Sequence, residues 1–210
     1  MSLAETFSRI YSRNIWASSD WDGSAPYSGP GAYGSFLKQY AEIAQQQIVA
    51  LGVTSLADLG CGDFSVGKVL AGLVRTYKGL DVSPAVIDYH RKVHSAPSVS
   101  FICGDLTQSD LPPADIAVVR QVLQHLSNAE IQLVLANVAR TYSLALVSEH
   151  IYIGRKSRPN LDIPHGPETR VPLRSGVFID LPPFSLPSAW VSDIDYGPGE
   201  VLRTWLFRSR

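Results

Sequence analysis

Carboxylates and glycines stand at regular places in the first half of this sequence, each behind a short apolar run. Residues 55–67 read Ser-Leu-Ala-Asp-Leu-Gly-Cys-Gly-Asp-Phe-Ser-Val-Gly, a strand-like run entering a turn. Asp58, Gly60 and Gly62 would wrap a nucleotide-bearing ligand there, because glycine lets the backbone approach a bound group closely. Asp81 lies about 20 residues past the turn, where an acidic side chain can accept both hydrogen bonds of a ribose diol. Asp105, in Cys-Gly-Asp-Leu 103–106, could meet an adenine exocyclic amine, and Arg120 and Gln121 close a fourth apolar run. Simpler roles compete. Asp81 could cap the helix ahead of Ser83-Pro84, although Ser83 is the better cap because Pro84 would then open the helix. Asp105 could be an ordinary turn residue.

The glycine spacing narrows the ligand. A dinucleotide fingerprint, G-x-G-x-x-G, would need glycine at Ser65, and the next one is Gly67. No G-x-x-x-x-G-K-[ST] is present, which excludes a P-loop.

These residues must be held by elements, and hydrophobic periodicity supplies them. A helix is expected over residues 1–20, with Phe7, Ile10, Tyr11 and Ile15 as anchors. A Gly-, Ser- and Pro-rich loop follows over 20–34, then a helix over 35–51. Strand 55–60 leads to helix 64–74, and strand 76–82 to helix 84–94. Strand 98–103 comes next. Strand 114–120 leads to helix 127–141, with Ser127 or Asn128 as its cap, and strand 144–149 follows. Such alternation implies a parallel sheet with right-handed crossovers. Residues 159–187 hold seven of the 14 prolines, which reads as an excursion over 154–187 and not as a second core. Strands 189–195 and 200–208, joined by Gly197-Pro198-Gly199, would form an antiparallel hairpin at a sheet edge.

Bulk properties exclude several classes. At 210 residues with net charge −1, the chain has no global positive field to attract nucleic acid or an acidic membrane surface. No run approaches the roughly 18 apolar residues of a membrane span, and no apolar signal core opens the chain. The two cysteines, Cys61 and Cys103, make neither a disulfide framework nor a zinc motif, so reduced thiols in a cytoplasmic protein and no metal are expected.

Asp58-Leu-Gly-Cys-Gly62, Gly79-Leu-Asp81-Val-Ser, Cys103-Gly-Asp105 and the segment from Ala114 to Ser127 together resemble the successive motifs of class I S-adenosylmethionine-dependent methyltransferases. The resemblance covers residues 55–150. It implies a Rossmann-like three-layer α/β sandwich whose seven-stranded, mostly parallel sheet ends in an antiparallel last strand. It implies that Gly60, Cys61 and Gly62 pass the methionine part of S-adenosyl-L-methionine, and that Asp58 helps place its amino group. Asp81 would hold the ribose with Val82 against the adenine, Gly104, Asp105 and Leu106 would flank the adenine edge, and Arg120 and Gln121 would lie near the sulfonium. The family continues Gly-x-Gly-x-Gly, whereas this chain has Phe64 in the third place, where it could narrow the pocket or pack on the cofactor. Cys-Gly-Asp-Phe, with Trp16, Ser28-Gly-Pro-Gly31 and Pro182–Pro187, resembles an uncharacterised bacterial subgroup.

Methyl transfer asks little covalent help of a protein: it must align the acceptor, the methyl group and the leaving sulfur, and exclude water. A general base is needed only for a protonated acceptor. His125, Glu149 and His150 are candidates by position, Glu149 and His150 facing the substrate side; a structural role for His125 competes. Ser28–Gly31 within an N-terminal helical lid, residues 1–52, could approach the cofactor's carboxylate or simply turn the chain. Arg155, Lys156, Arg158, His165, Arg170 and Arg174 could clamp an anionic acceptor, or face solvent. The resulting expectation is one methyltransferase domain over 1–210 acting on a small-molecule acceptor. A cofactor-binding module without catalysis, or an NAD-type oxidoreductase, are the alternatives.

Overall fold

The structure is a computed structural model that describes residues 1–18, 21–108 and 110–209. Its elements follow the chain as α1 (Leu3–Ser12), α2 (Gly34–Leu51), β1 (Ser55–Leu59), α3 (Ser65–Ala71), β2 (Thr76–Asp81), α4 (Pro84–Val93), β3 (Val99–Cys103), β4 (Ile116–Arg120), α5 (Asn128–Thr141), β5 (Leu144–Tyr152), β6 (Ser188–Gly197) and β7 (Glu200–Arg208). The strands form a seven-stranded sheet in the order β3-β2-β1-β4-β5-β7-β6. The β1/β2, β2/β3 and β4/β5 pairs are parallel, while β7 runs against both β5 and β6. The mostly parallel sheet with a reversed last strand is the expected one. The contacts divide into two compact units, Met1–Asp115 and Ile116–Arg210.

In the first unit, α1 starts at a capping box, Ser2 Oγ accepting from the Glu5 amide and Glu5 returning to the Ser2 amide. This satisfies two amides that a helix start leaves unpaired. The helix is shorter than the expected 1–20. It stops at Ser12, where Asn14 turns left-handed at φ 51° and the Ile15 amide bonds back to the Ile10 carbonyl. Residues 19 and 20 of that expectation lie outside the described residues. Ile15 is therefore not an anchor but half exposed, and Trp16 folds back onto Phe7 and Tyr11. Leu56, Ala57, Leu59, Tyr77, Leu80 and Ile87 are fully buried and form this unit's core.

In the second unit, Ile116–Val119 of β4 are fully buried, the apolar run expected of a strand covered on both faces. A second capping box, Ser127 with Glu130, opens α5. Strand β5 runs to Tyr152, past the expected 149, because β7 pairs with it as far as Glu200 after β4 has ended. The proline-rich segment is built into this unit. Val177, Phe178 and Ile179 are buried, and the buried Asn160 amide donates to the carbonyls of Phe178 and Pro182 while its Oδ1 accepts the Phe178 amide. No described helix is long and apolar enough to cross a membrane.

Candidate functional site

Within the first unit, the turn after β1 is left-handed at Gly60 (φ 84°) and Gly62 (φ 52°), angles that cost a side-chain-bearing residue free energy. The Gly60 and Cys61 amides both donate to the Leu80 carbonyl, at 2.7 and 3.0 Å. This ties the turn to the carboxyl end of β2. There the Asp81 carboxylate, buried, accepts the Gly62 amide at 3.1 Å and the Ser83 amide at 2.9 Å. Burial raises its pKa against the pull of those amides. Gly62 and Asp81, far apart in sequence, thus meet in one place. Pro84 opens α4 with Ser83 in the cap position, although the Ser83 hydroxyl makes no capping bond.

The other side of the turn is held by Ser28, which sequence reasoning placed in a lid segment, and by His90, Tyr11, Asp63 and Tyr33, to which it gave no role at the site. His90 of α4, fully buried, bonds the Gly62 carbonyl at 2.7 Å. A carbonyl only accepts, so Nε2 carries the proton. Across the turn, Tyr11 meets the Ser28 hydroxyl at 2.9 Å, which accepts the Asp63 amide at 2.9 Å. Asp63 in return accepts the Ser28 amide at 2.8 Å and the Tyr33 hydroxyl at 3.0 Å. A Cβ on Gly62 would stand 2.5 Å from Ser28 Oγ and 3.3 Å from Tyr11 Oη. The Ser28-Gly-Pro-Gly31 segment therefore lies on the glycine turn. Ser28 and Asp63 each sat in a motif; Tyr11, Tyr33 and His90 read as core or loop residues, since nothing in a helical period distinguishes a buried hydrogen bond from a packed ring.

Asp58 is buried, and Tyr77 Oη donates to it at 2.6 Å. Burial, then the Asp58 charge, pushes the Tyr77 phenol well up, so it remains a donor. Phe64 holds a left-handed angle (φ 65°), which a glycine would take freely. Its ring does not reach into the turn; it is buried against Tyr77, His94 and Phe101, with centroids 5.0 to 5.3 Å away. Cys61 is buried and Cys103 exposed, both free thiols. The Gly104 amide donates to the Asp81 carbonyl at 3.0 Å, which fixes the next loop. Asp105 Oδ1 accepts the Thr107 amide and hydroxyl at 2.8 and 2.7 Å, the turn role that competed at the sequence level. Leu106 is buried beside it and Val82 is half-buried.

In the second unit, the turn after β4 is held from both sides by buried charges. Glu149, fully buried, accepts the amides of Val122, Leu123 and Gln124 at 3.1, 2.8 and 3.1 Å. Arg170, also fully buried, donates to the carbonyls of Leu123, Gln124 and Leu126 at 3.3, 3.0 and 2.7 Å, and to Leu161 O and Asn128 Oδ1. Burial pushes the Glu149 carboxyl up to about 7 against the amides and Arg170. Glu149 was expected to face the substrate side; it points instead into the protein, and alternation along β5 puts His150 on the other face. Gln121 is left-handed at φ 54°, its amide on the Ser148 carbonyl at 2.8 Å.

His125 donates through Nδ1 to the Glu168 carbonyl at 3.1 Å and accepts from the Gln124 side-chain amide at 3.2 Å. Burial pushes its imidazole down to about 4, so it is neutral near pH 7. Of the residues that could form an anion clamp or face solvent, Arg170 spends its donors internally and His165 pairs with Glu130 at 2.6 Å. Arg155, Lys156, Arg158 and Arg174 are exposed. His150 Nε2 lies 3.1 Å from Glu200 Oε2, and its ring centroid is 4.8 Å from that of Tyr196. Arg120, at the end of β4, pulls the Tyr196 phenol down against the larger upward push of burial. Among the described residues, no group of three or more His, Cys, Asp or Glu is placed to hold a metal ion.

Residues 56–143 match a family model described as a methyltransferase domain. No curated protein matches the chain in sequence. Among solved structures, the N-methyltransferase NodS from Bradyrhizobium japonicum WM9, in complex with S-adenosyl-L-homocysteine, is 14% identical with a TM-score of 0.66, over 97% of this chain and 98% of that one. Magnesium protoporphyrin IX methyltransferase from Synechocystis PCC 6803 is 14% identical with a TM-score of 0.60, over 99% and 95%. Human N-acetylserotonin methyltransferase is 16% identical with a TM-score of 0.57, over 100% of this chain and 60% of that one. Over residues 56–143 the chain is thus similar to a methyltransferase domain, and its seven-stranded fold is the one these solved methyltransferase structures share.

Proposed function

We propose that this methyltransferase domain binds S-adenosylmethionine at the glycine turn and passes its methyl group in line to a small-molecule acceptor, in the cytoplasm. The observation that carries the reading is the meeting of the Gly62 amide with the buried Asp81 carboxylate at the ends of two adjacent parallel strands. In sheets of this kind the ligand crevice lies beyond the carboxyl ends. The residues fit the group. Gly60 and Gly62 leave a turn without side chains, and each Asp81 oxygen keeps lone-pair capacity beyond its one backbone amide.

Asp81 would take the ribose diol, Val82 and Leu106 the adenine faces and Gly104–Asp105 its edge, with Asp58 placing the amino group through its surroundings. Cys61 lines the turn as a small buried residue. The bound cofactor supplies an electrophilic methyl, so the chain's work is to orient it and exclude water. The N-terminal segment, latched through Tyr11, Ser28, Asp63 and Tyr33, would be the cover that does so.

Calorimetry tests this. S-adenosylhomocysteine should bind the protein, and Asp81→Asn should weaken it at least tenfold, about 1.4 kcal/mol, as expected when a charged hydrogen-bond acceptor becomes neutral. Equal affinity in the variant, or no binding to the folded wild type, removes the proposal. A binding module without catalysis is the second reading, favoured by the commitment of Glu149 and His125 to backbone bonds. Methylated product from an acceptor screen eliminates it.

A further inference from the structure

Gly62 is a residue with freedom to lose, because glycine takes left- and right-handed angles about equally readily. Its φ of 52° is therefore selected by its partners. Asp81 holds its amide at 3.1 Å and His90 Nε2 its carbonyl at 2.7 Å. The Asp63 amide shares a planar peptide group with that carbonyl and is held by Ser28 Oγ at 2.9 Å. His90 is the partner that space filling does not explain. Burial lowers its pKa against the pull of the Gly62 carbonyl, so the ring is neutral at pH 7. With the one proton on Nε2, Nδ1 is a bare acceptor, and it is buried without a hydrogen-bond partner. A leucine would fill the same space and strand no polar atom. What the imidazole adds is the bond to Gly62.

A nest of rings surrounds that bond. Phe101, Tyr89, His94 and Phe64 lie 5.0, 5.5, 5.5 and 5.7 Å from the His90 ring, centroid to centroid. Gly67 of α3 makes room for the Phe64 ring, since a Cβ there would stand 2.6 Å from Phe64 Cδ2. A hydrogen bond that water does not reach is stronger than the same bond in water. Given the methyltransferase reading above, on which this rests, we infer that His90 is a positioning residue for the cofactor's seat. Its Nε2–H holds the Gly62 carbonyl so that the turn keeps one shape for the ligand, and the Phe64 ring seals this bond from water. A turn already held in its bound shape costs the ligand little ordering. Neither side chain touches the ligand: both act through the backbone of Gly62.

Histidine NMR and calorimetry with S-adenosylhomocysteine test this. In the wild type the His90 proton should sit on Nε2 and exchange slowly with water. Saturating S-adenosylhomocysteine should slow that exchange at least about tenfold more than it slows the Leu56 amide of the β1 core, because the ligand suppresses opening of the turn itself. Phe64→Ala should speed the exchange at least about tenfold, as water gains the ring. By calorimetry, His90→Gln, whose amide nitrogen reaches the place of Nε2, should bind within about threefold of wild type. His90→Asn, equally polar but one carbon shorter, and His90→Leu should bind at least about tenfold more weakly, the loss expected when the held turn falls to a tenth of the population. Phe64→Ala should add no further loss of affinity in the His90→Leu background. A proton on Nδ1, or an exchange rate blind to the ligand or to Phe64→Ala, overturns the inference. So does glutamine binding as weakly as leucine, or asparagine and leucine binding as tightly as wild type. Where His90→Leu does not fold, the wild-type spectra and the glutamine–asparagine pair decide. No S-adenosylhomocysteine binding to the folded wild type would instead overturn the methyltransferase reading.

Discussion

Replacing Glu149 by glutamine isolates one buried charge. The wild-type carboxyl titrates at about 7, against an ordinary value of 4.5. Between those values the folded protein holds a proton that the unfolded chain has released. Glu149 therefore supports the fold fully below about pH 4.5, and that support is lost as pH rises through 7. At about 1.4 kcal/mol per pH unit, the change is roughly 3 kcal/mol. His125 works the other way: its folded value is about 4 against 6.5, so its stabilising contribution is present above 6.5 and fades as pH falls toward 4. The two windows overlap, and in the wild type their slopes oppose. The substituted amide cannot ionise, so in the variant the His125 slope stands uncovered. Urea unfolding of both proteins at pH 4.5, 6, 7 and 8 measures this. The stability of Glu149→Gln relative to wild type should rise by roughly 3 kcal/mol from pH 4.5 to 8. A difference that varies by less than about 1 kcal/mol over that range would refute the reasoning, because it would mean that burial does not hold the proton on Glu149.

Other substitutions test other joints. Phe64→Ala keeps a side chain at φ 65° and loses a buried ring, so it should cost about 3–5 kcal/mol; Phe64→Gly should cost about 1 kcal/mol less, because glycine takes that angle freely, and thermal unfolding of the pair reads the difference. Gly62→Ala combines a left-handed alanine with a Cβ pressed on Ser28 Oγ; unfolding should show a loss of about 1–2 kcal/mol, with the Tyr11–Ser28 contact displaced in the NMR spectrum. His90→Leu leaves the buried Gly62 carbonyl unpaired and should cost about 1–3 kcal/mol, together with weaker S-adenosylhomocysteine binding by calorimetry.

Most strands and helices were legible in the sequence because apolar runs, proline openings and capping pairs such as Ser127/Glu130 are local signals. The Asp58–Gly62 and Asp81 motifs were legible for a related reason: the parallel pairing of β1 with β2 puts motif residues at strand ends together. What escaped was the direction of side chains. Glu149 and His150 are neighbours on one strand, and nothing local says which of the two faces inward. Arg170 sits among prolines and charges, a texture that reads as a solvated loop, yet the carbonyls of the 123–126 turn draw it into the interior. Phe64 was read toward the ligand turn, whereas Tyr77, His94 and Phe101, distant in sequence, assemble the nest that holds its ring. The helix over 1–20 was overextended because Asn14 carries no strong stop signal until its left-handed turn is seen.

The central claim is that Asp81 and the glycine turn form the cofactor's seat. A crystal structure of the protein with S-adenosylhomocysteine tests it most directly. The account predicts both ribose hydroxyls on the Asp81 carboxylate and the ligand's amino-acid part along Gly60–Gly62. A ligand seated elsewhere, or bound with its ribose clear of Asp81, would contradict it.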